Sequence, residues 1–326
     1  MGPEFLDLLT EASDFKKSSF AESTKASYRS HLNAYIRFCL YFERTPVPCD
    51  QLTLKAFVAF LARSLNPTSI GSYLNIIRIL HVEAGLKNPL ECNWEIKMIK
   101  RGVSRMLGRP PKQKLPLTLC ILLQMFAVLN MSSKKDLSFW AALLVGFFGL
   151  LRKSTLIPKS KLAGDTQALL RKDVVNFEKD SFVLVVRYSK TIQFGQKVLQ
   201  IPYCKCADFN LCPVSTLLLH LTSSKLRLDC PLFDYIESGV VRSWNHVTFV
   251  AKLRQCLLMC KIDPAQYSGH SLRRGGCSAC FMAGLSVQDI KQRGDWKSAC
   301  FEKYLHLPGE RLFASARLLS SSVLLD

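Results

Sequence analysis

Acidic residues are scarce in this chain. Only 25 Asp and Glu stand against 44 Lys and Arg in 326 residues, which leaves a formal charge of +19. A surplus of that size favours an acidic partner, and the commonest polyanion inside a cell is nucleic acid. Long apolar runs are missing as well. The longest, Leu137 to Leu151, has fifteen residues with one Ser, too few to span a bilayer. The start of the chain has no basic segment followed by an apolar one, so it does not read as a signal peptide. Met1-Gly2-Pro3-Glu4-Phe5 reads as a cloning and protease-site remnant (residues 1–5) and is set aside. There is no glycine-rich phosphate loop of the P-loop type and no pair of histidines at H-x3-H spacing. Nucleotide-driven chemistry and a histidine-bound catalytic metal are therefore not expected. No repeat of fixed period is present.

What is plentiful is apolar residues, at 48%, enough to build cores and to exclude disorder as the main state. Thirteen cysteines, an odd number, lie scattered through apolar stretches (Cys39, Cys120, Cys256, Cys280, Cys300). Disulfide frameworks belong to short secreted chains, so these read as reduced thiols of an intracellular protein. Cys204, Cys206, Cys212 and His220 are spaced C-x-C-x5-C-x7-H. That is not one of the usual zinc frameworks, so no metal and no cofactor is expected.

The first third of the chain has helical periodicity. After Ser23 and Thr24, residues Tyr28, Leu32, Tyr35, Ile36 and Cys39 fall on one face, leaving Lys25, Arg29, His31 and Arg37 on a basic outer one. Pro46 and Pro48 end that helix. Thr53 is expected to cap a second helix reaching Leu65. Asn66-Pro67 breaks the chain before a third helix from Thr68 to Ala84, capped by Gly85. Residues 6–96 thus form an expected all-helical domain. From 97 to 115 the composition turns basic, with Lys97, Lys100, Arg101, Arg105, Arg109, Lys112 and Lys114 and no acid. Gly108-Arg109-Pro110-Pro111 suggests a helix end running into an extended, semi-rigid linker, basic enough to cross a phosphate backbone or to serve as a solvated nuclear-localisation run, two readings that do not exclude each other. Residues 116–326 form a larger domain. Its helices at Thr118–Leu129 and Phe139–Leu151 lead to a β-hairpin of Ser181–Arg187 and Lys197–Ile201 around the polar segment 188–196. Helices return after Pro213. The fold class expected is mainly α (α+β), with a small antiparallel sheet in the second domain.

Four features of that domain are hard to account for as packing. Arg152 follows the apolar run Phe147-Phe-Gly-Leu-Leu151, and a cation at the end of a buried helix needs an anion. Lys190 lies in Tyr-Ser-Lys-Thr-Ile on the hairpin, with Lys197 seven residues on as a competitor. His270 and Arg273, in Gly269-His-Ser-Leu-Arg-Arg-Gly-Gly276, share one helical face, which is awkward unless an anion lies between them. Gly294-Asp295-Trp296-Lys297-Ser298 then leads to Tyr304.

In this order, Arg, hairpin Lys, His-x-x-Arg, Trp and Tyr, the chain resembles the tyrosine recombinase, or lambda-integrase, family of site-specific recombinases. Phe-Gly-Leu-Leu-Arg152-Lys-Ser, Ser-Lys190-Thr-Ile-Gln-Phe-Gly, Leu-Cys212-Pro and Trp296-Lys-Ser are similar to recombinases of eukaryotic mobile elements, the Crypton and DIRS-like groups. The resemblance covers most of the chain: the helical domain as a core-binding domain, the larger one as the catalytic domain. It implies cleavage and rejoining of DNA through a 3′-phosphotyrosyl link. Tyr304 would be the nucleophile, Arg152 and Arg273 would hold the non-bridging oxygens, and Lys190 would be the general acid. His270 would assist proton transfer, and Trp296 would donate its indole N–H and pack the site. It further implies double-stranded DNA as partner, a tetramer on two DNA sites, and a nuclear protein that moves a mobile element. The amphipathic tail Arg311 to Leu325 would dock on a neighbouring protomer. Three departures stand out. Thr155 occupies a position where many members carry an acid, Trp296 stands where many have His, though Trp also occurs in the family, and Trp296 and Tyr304 are eight apart, one fewer than usual in phage and bacterial members. Alternative readings are a DNA-binding protein that no longer cuts and a type IB topoisomerase.

Overall fold

The computed structural model describes residues 3–110, 112–158 and 168–305, together with positions 313, 317 and 320. The chain divides into two compact units, Met1–Lys112 and Gln113–Asp326.

The first unit holds α1 (Pro3–Ser18), α2 (Glu22–Tyr41), α3 (Gln51–Ala62), α4 (Pro67–Glu83) and α5 (Trp94–Leu107). Its core joins Tyr35, Phe38 and Cys39 of α2 to Leu54, Phe57, Val58 and Leu61 of α3, Ile70, Leu74, Ile76 and Ile77 of α4, and Ile96 of α5. Three expectations change here. Asp50, not Thr53, caps α3: its carboxylate accepts the Thr53 N–H at 2.7 Å, while Thr53 itself is buried within the helix. That helix stops at Ala62, short of Leu65. Residues 97–107 of the expected linker belong instead to α5. Ile96, Ile99 and Val103, three and four apart, pack on the core, and Lys97, Arg101 and Arg105 form an exposed row on the opposite side. The density of charge there conceals a normal apolar period.

The second unit is built around α7 (Lys134–Phe148), which follows α6 (Leu119–Val128). From Leu137 to Phe147 every residue of α7 is buried. Seven of these eleven positions carry large apolar side chains (Leu137, Phe139, Trp140, Leu143, Leu144, Val145 and Phe147), and at about 1.5 to 3 kcal/mol each they make this helix the main source of hydrophobic stabilisation in the unit. The short α8 (Lys153–Leu156) follows. The sheet then runs β1 (Val174–Val175), β2 (Ser181–Val186) and β3 (Leu199–Cys204), antiparallel throughout, with Leu184 opposite Ile201 and Phe182 opposite Tyr203. α9 (Pro213–Ser224) packs beside α7. A second hairpin, β4 (Tyr235–Glu237) and β5 (Val240–Arg242), was not expected: strands of three residues are too short to show alternation. α10 (His246–Met259), α11 (Gly269–Met282) and α12 (Val287–Arg293) complete the unit. The architecture is mainly helical with a small antiparallel sheet, as expected. Nearly all of the tail from Arg311 lies outside the described residues. Among the described residues, no helix is long and apolar enough to cross a membrane.

α11 can reach α7 because of Gly275 and Gly276. A methyl group at Gly275 would overlap the Leu117 carbonyl, and one at Gly276 the Phe147 carbonyl. Backbone cannot retreat cheaply, so Gly276→Ala is expected to lose about 1 to 3 kcal/mol. Gly102→Ala on α5, where nothing stands within 4 Å, should gain up to about 1 kcal/mol. Thermal melts of the two variants beside the parent check both signs.

Candidate active site

Two helix ends shape the site. α7 closes at Gly149, and Leu150 takes the left-handed conformation at φ +51°. The Leu151 N–H returns to Gly146 O at 2.9 Å, which is a Schellman turn. α12 closes in the same way at Gly294: Asp295 has φ +52°, and the Trp296 N–H returns to Lys291 O at 2.9 Å. The first turn delivers Arg152 out of the buried helix. The second delivers Asp295 and Trp296.

Arg273, on α11, lies between these ends and is 2% exposed. Its Nη1 donates to Leu150 O and its Nη2 to Gly294 O. Its Cζ sits 3.9 Å from the centre of the Trp296 ring and 5.5 Å from that of Tyr304. The Trp296 and Tyr304 rings are 5.3 Å apart. Tyr304 ends a short 3₁₀ turn, Ala299–Tyr304, held by a satellite core of Leu150, Cys277, Ile290, Trp296 and Phe301. The Nε of Arg273 is buried without a hydrogen-bond partner. Burial and the neighbouring charge of Arg152 lower the pKa of Arg273, with Tyr304 and Asp295 acting in the other direction.

His270 lies in the first turn of α11, whose N-cap Ser268 accepts the His270 N–H at 3.2 Å. Partial burial of the ring, then the charges of Lys153, Arg273, Arg152 and Lys190, hold its pKa below the ordinary 6.5. The stem of Lys153 packs where a side chain on Gly269 would have to go, and burial lowers its pKa. Arg152 Nη1 donates to Thr191 Oγ1 at 3.3 Å.

All six residues selected from the sequence thus meet, directly or through charge. Lys190 is the most remote: it is exposed, and its charge bears on His270. Lys197, the weighed competitor, is ion-paired with Asp295. Lys190, Thr191, Gln193, Phe194, Gln196, Lys197 and Lys297 line an open pocket of about 480 Å³. Asp295, Thr191 and Lys153 escaped the sequence reading. Lys153, directly after Arg152, was the most findable. Tyr267 packs into the main core.

The residues proposed to bind DNA are dispersed. Arg29 is exposed on α2, Lys97, Arg101 and Arg105 on α5, and Arg109 and Lys112 beyond it. Lys100 is half-buried beside Gly71. Lys114 donates to Ala265 O at 2.6 Å. Of the weighed zinc set, His220 faces Leu232 O at 3.0 Å, and the Cys212 sulfur accepts the Cys206 and Ser215 N–H groups at 3.4 Å. Among the described residues, no group of three His, Cys, Asp or Glu is placed to hold a metal.

No protein-family description and no curated protein matches the sequence. Solved structures do. The XerH site-specific recombinase bound to palindromic difH substrate aligns at TM-score 0.59 and 15% identity, over 84% of this chain and 73% of that one. The Tn1549 transposon integrase in complex with circular intermediate DNA aligns at TM-score 0.59 and 12% identity, over 95% and 98%. A lambda integrase dimer bound to a COC′ core site aligns at 0.56 and 13%, over 93% and 95%. The chain therefore has the tyrosine recombinase fold.

The charges of Arg152, Lys153 and Arg273 all bear on His270, and like charges gathered in this way favour binding of an anion. Sulfate should therefore stabilise the protein beyond its general salting effect, by about 1.4 kcal/mol at ten times its dissociation constant. In melts at matched ionic strength, the excess of sulfate over chloride should shrink in Arg152→Gln.

Proposed function

We propose that this chain is a site-specific DNA recombinase that cleaves and rejoins duplex DNA through a tyrosine. The observation that supports this most is the buried Arg273 guanidinium stacked beside Trp296 and Tyr304, with Arg152 and His270 close by. In-line attack on a phosphodiester adds charge to the non-bridging oxygens. Forked guanidinium donors match those oxygens, and each preorganised donor is typically worth about 3 kcal/mol. Arg152 and Arg273 take that role. Tyr304 Oη forms the new bond to phosphorus while the bond to the 5′ oxygen breaks, leaving a 3′-phosphotyrosyl link. The phenolic proton passes to His270, which its setting keeps neutral at pH 7. The departing 5′ oxygen takes a proton from a hairpin lysine. Trp296 packs the nucleophile and directs its N–H to the phosphate. Because the covalent link conserves the phosphodiester energy, religation needs no cofactor.

The exposed row Lys97, Arg101, Arg105 on α5 and the cations Arg109 and Lys112 beyond it supply sequence-independent grip on the phosphate backbone. Lys100, Lys114 and Arg29 add to it. The helical unit serves as the core-binding domain and the second unit as the catalytic one, each binding duplex DNA. The assembly is a tetramer on two sites joined through the C-terminal tail. The protein is nuclear, and its role is movement of a mobile element of the Crypton or DIRS-like kind.

The test uses nicked duplexes carrying a site that the protein itself selects from a random-sequence pool. After denaturation, a DNA-shifted protein band should form with the parent and vanish in Tyr304→Phe. Salt-sensitive binding without a band would mean a DNA-binding protein that no longer cuts. Relaxation of supercoiled DNA without strand exchange would mean a topoisomerase. Binding should weaken steeply with salt, and Arg101→Gln should lower the slope of log K against log salt by about 1. The pH dependence follows from His270. A base whose pKa is depressed works when neutral, so kcat/KM for cleavage should hold down to pH 6.5 and fall only below it. His270→Gln should be slow without that acid limb.

A further inference from the structure

Asp295 is a buried carboxylate of the site that the reaction as proposed does not use. It is 9% exposed, and its two carboxylate oxygens are both engaged: Oδ1 by Lys197 Nζ and Oδ2 by the Thr191 hydroxyl. Thr191 Oγ1 in turn accepts from Arg152 Nη1 at 3.3 Å and lies 3.1 Å from Ser189 Oγ. One hydroxyl proton goes to Asp295, so Ser189 must be the donor of that last bond. The result is a continuous chain from Arg152 through Thr191 and Asp295 to Lys197. Burial alone would raise the Asp295 pKa; the hydrogen bonds from Lys197 and Thr191 and the charges of Lys197 and Arg152 hold it below the usual carboxylate range.

The backbone adds an independent reason. Asp295 stands in the left-handed position of the turn that ends α12, at φ +52°. Glycine is the cheapest residue there, and asparagine is tolerated. An aspartate fits the turn less well than glycine would, so the carboxylate is what the position gains. Lys190 and Lys197 are both exposed and both stand on the β2–β3 connection, but Lys197 is tethered to the turn that also carries Trp296, while none of the described hydrogen bonds or ion pairs engages the Lys190 ammonium.

We infer that Asp295 is a positioning residue that holds Lys197, rather than Lys190, as the proton donor to the departing 5′ oxygen. The inference rests on the recombinase reading. An ammonium has three protons. Lys197 gives one to the Asp295 hydrogen bond, which fixes its direction, and keeps others for the leaving oxygen. When the phosphorus–oxygen bond breaks, the electron pair goes to the 5′ oxygen, one Lys197 proton follows it, and the lysine is left neutral. Asp295 also ties this donor to Arg152 through Thr191, so the group that neutralises the phosphate and the group that protonates the leaving oxygen are set by one network.

The experiment compares two duplexes of the selected site, one normal and one with sulfur in place of the scissile 5′ oxygen. A thiolate leaves without protonation, so it bypasses a general acid. Lys197→Ala should slow cleavage of the oxygen duplex at least 100-fold and the sulfur duplex little. Asp295→Asn should show the same pattern at about tenfold or more, with an unchanged melt. Asp295→Gly, which suits the turn better, should behave alike and guards against a folding defect of the Asn variant. Lys190→Ala should change both duplexes by the same factor. Sulfur rescue of Lys190→Ala but not of Lys197→Ala, or an equal loss of Asp295→Asn on both duplexes, would overturn the inference. Failure of the parent on both duplexes would instead overturn the recombinase reading beneath it.

Discussion

The structure of the site depends on one buried cation. Arg273 sits where two helix ends meet, and its guanidinium binds the carbonyl left over at each: Leu150 after α7 and Gly294 after α12. Helix C-termini carry partial negative charge, so they are the natural resting place for an unpaired cation. The same plane covers Trp296 and lies near Tyr304. A single residue therefore fixes the distance between the apolar core helix, the turn bearing Asp295 and Trp296, and the tyrosine. This accounts for Gly275 and Gly276, two and three residues after it: without them α11 could not lie close enough to α7 for Arg273 to reach Leu150.

The arrangement is electrostatically unfinished. Arg273 keeps a buried Nε without partner, and an unsatisfied buried donor costs about 1 to 3 kcal/mol. After burial, the charges of Lys153, Arg273, Arg152 and Lys190 all act to keep His270 neutral. Two non-glycine residues, Leu150 and Asp295, hold left-handed backbone at its rim, at about 1 kcal/mol each. Such a site is stable only because α7 and its surroundings bury so much apolar surface. In the proposed reaction a phosphodiester would bring two oxygens to the forked donors together with charge that grows during attack, so the features that lower stability would serve binding of a phosphoryl transition state.

Much of this was legible in the sequence. The core helix and the hairpin could be read because buried helices and alternating strands have strong periods, and Arg152 because unpaired cations beside apolar runs are rare; Lys190 and Tyr304 carry little signal singly, and the order Arg152, Lys190, His270, Arg273, Trp296, Tyr304 stood out only through its resemblance to the tyrosine recombinase family. Other parts were concealed for physical reasons. Lys97, Arg101 and Arg105 dominate the composition of α5 and hid Ile96, Ile99 and Val103 beneath them. Thr53 looked like a cap, but the carboxylate of Asp50 was the better acceptor three residues earlier. Asp295 was in plain view within Gly294-Asp295-Trp296, yet its partners Thr191 and Lys197 lie about a hundred residues upstream, and no local pattern links them. Contacts of that range belong to the fold, and sequence spacing carries no trace of them.

The central claim is that Arg152 and Arg273 serve to neutralise charge growing on a scissile phosphate. The most direct test replaces that phosphate by a methylphosphonate, which removes one non-bridging charge while keeping the shape. The covalent yield of Arg152→Ala relative to the parent should then recover most of its deficit, because the missing cation has less charge to meet. A deficit of the same size on phosphate and methylphosphonate would show that Arg152 acts in some other way, and would contradict the account.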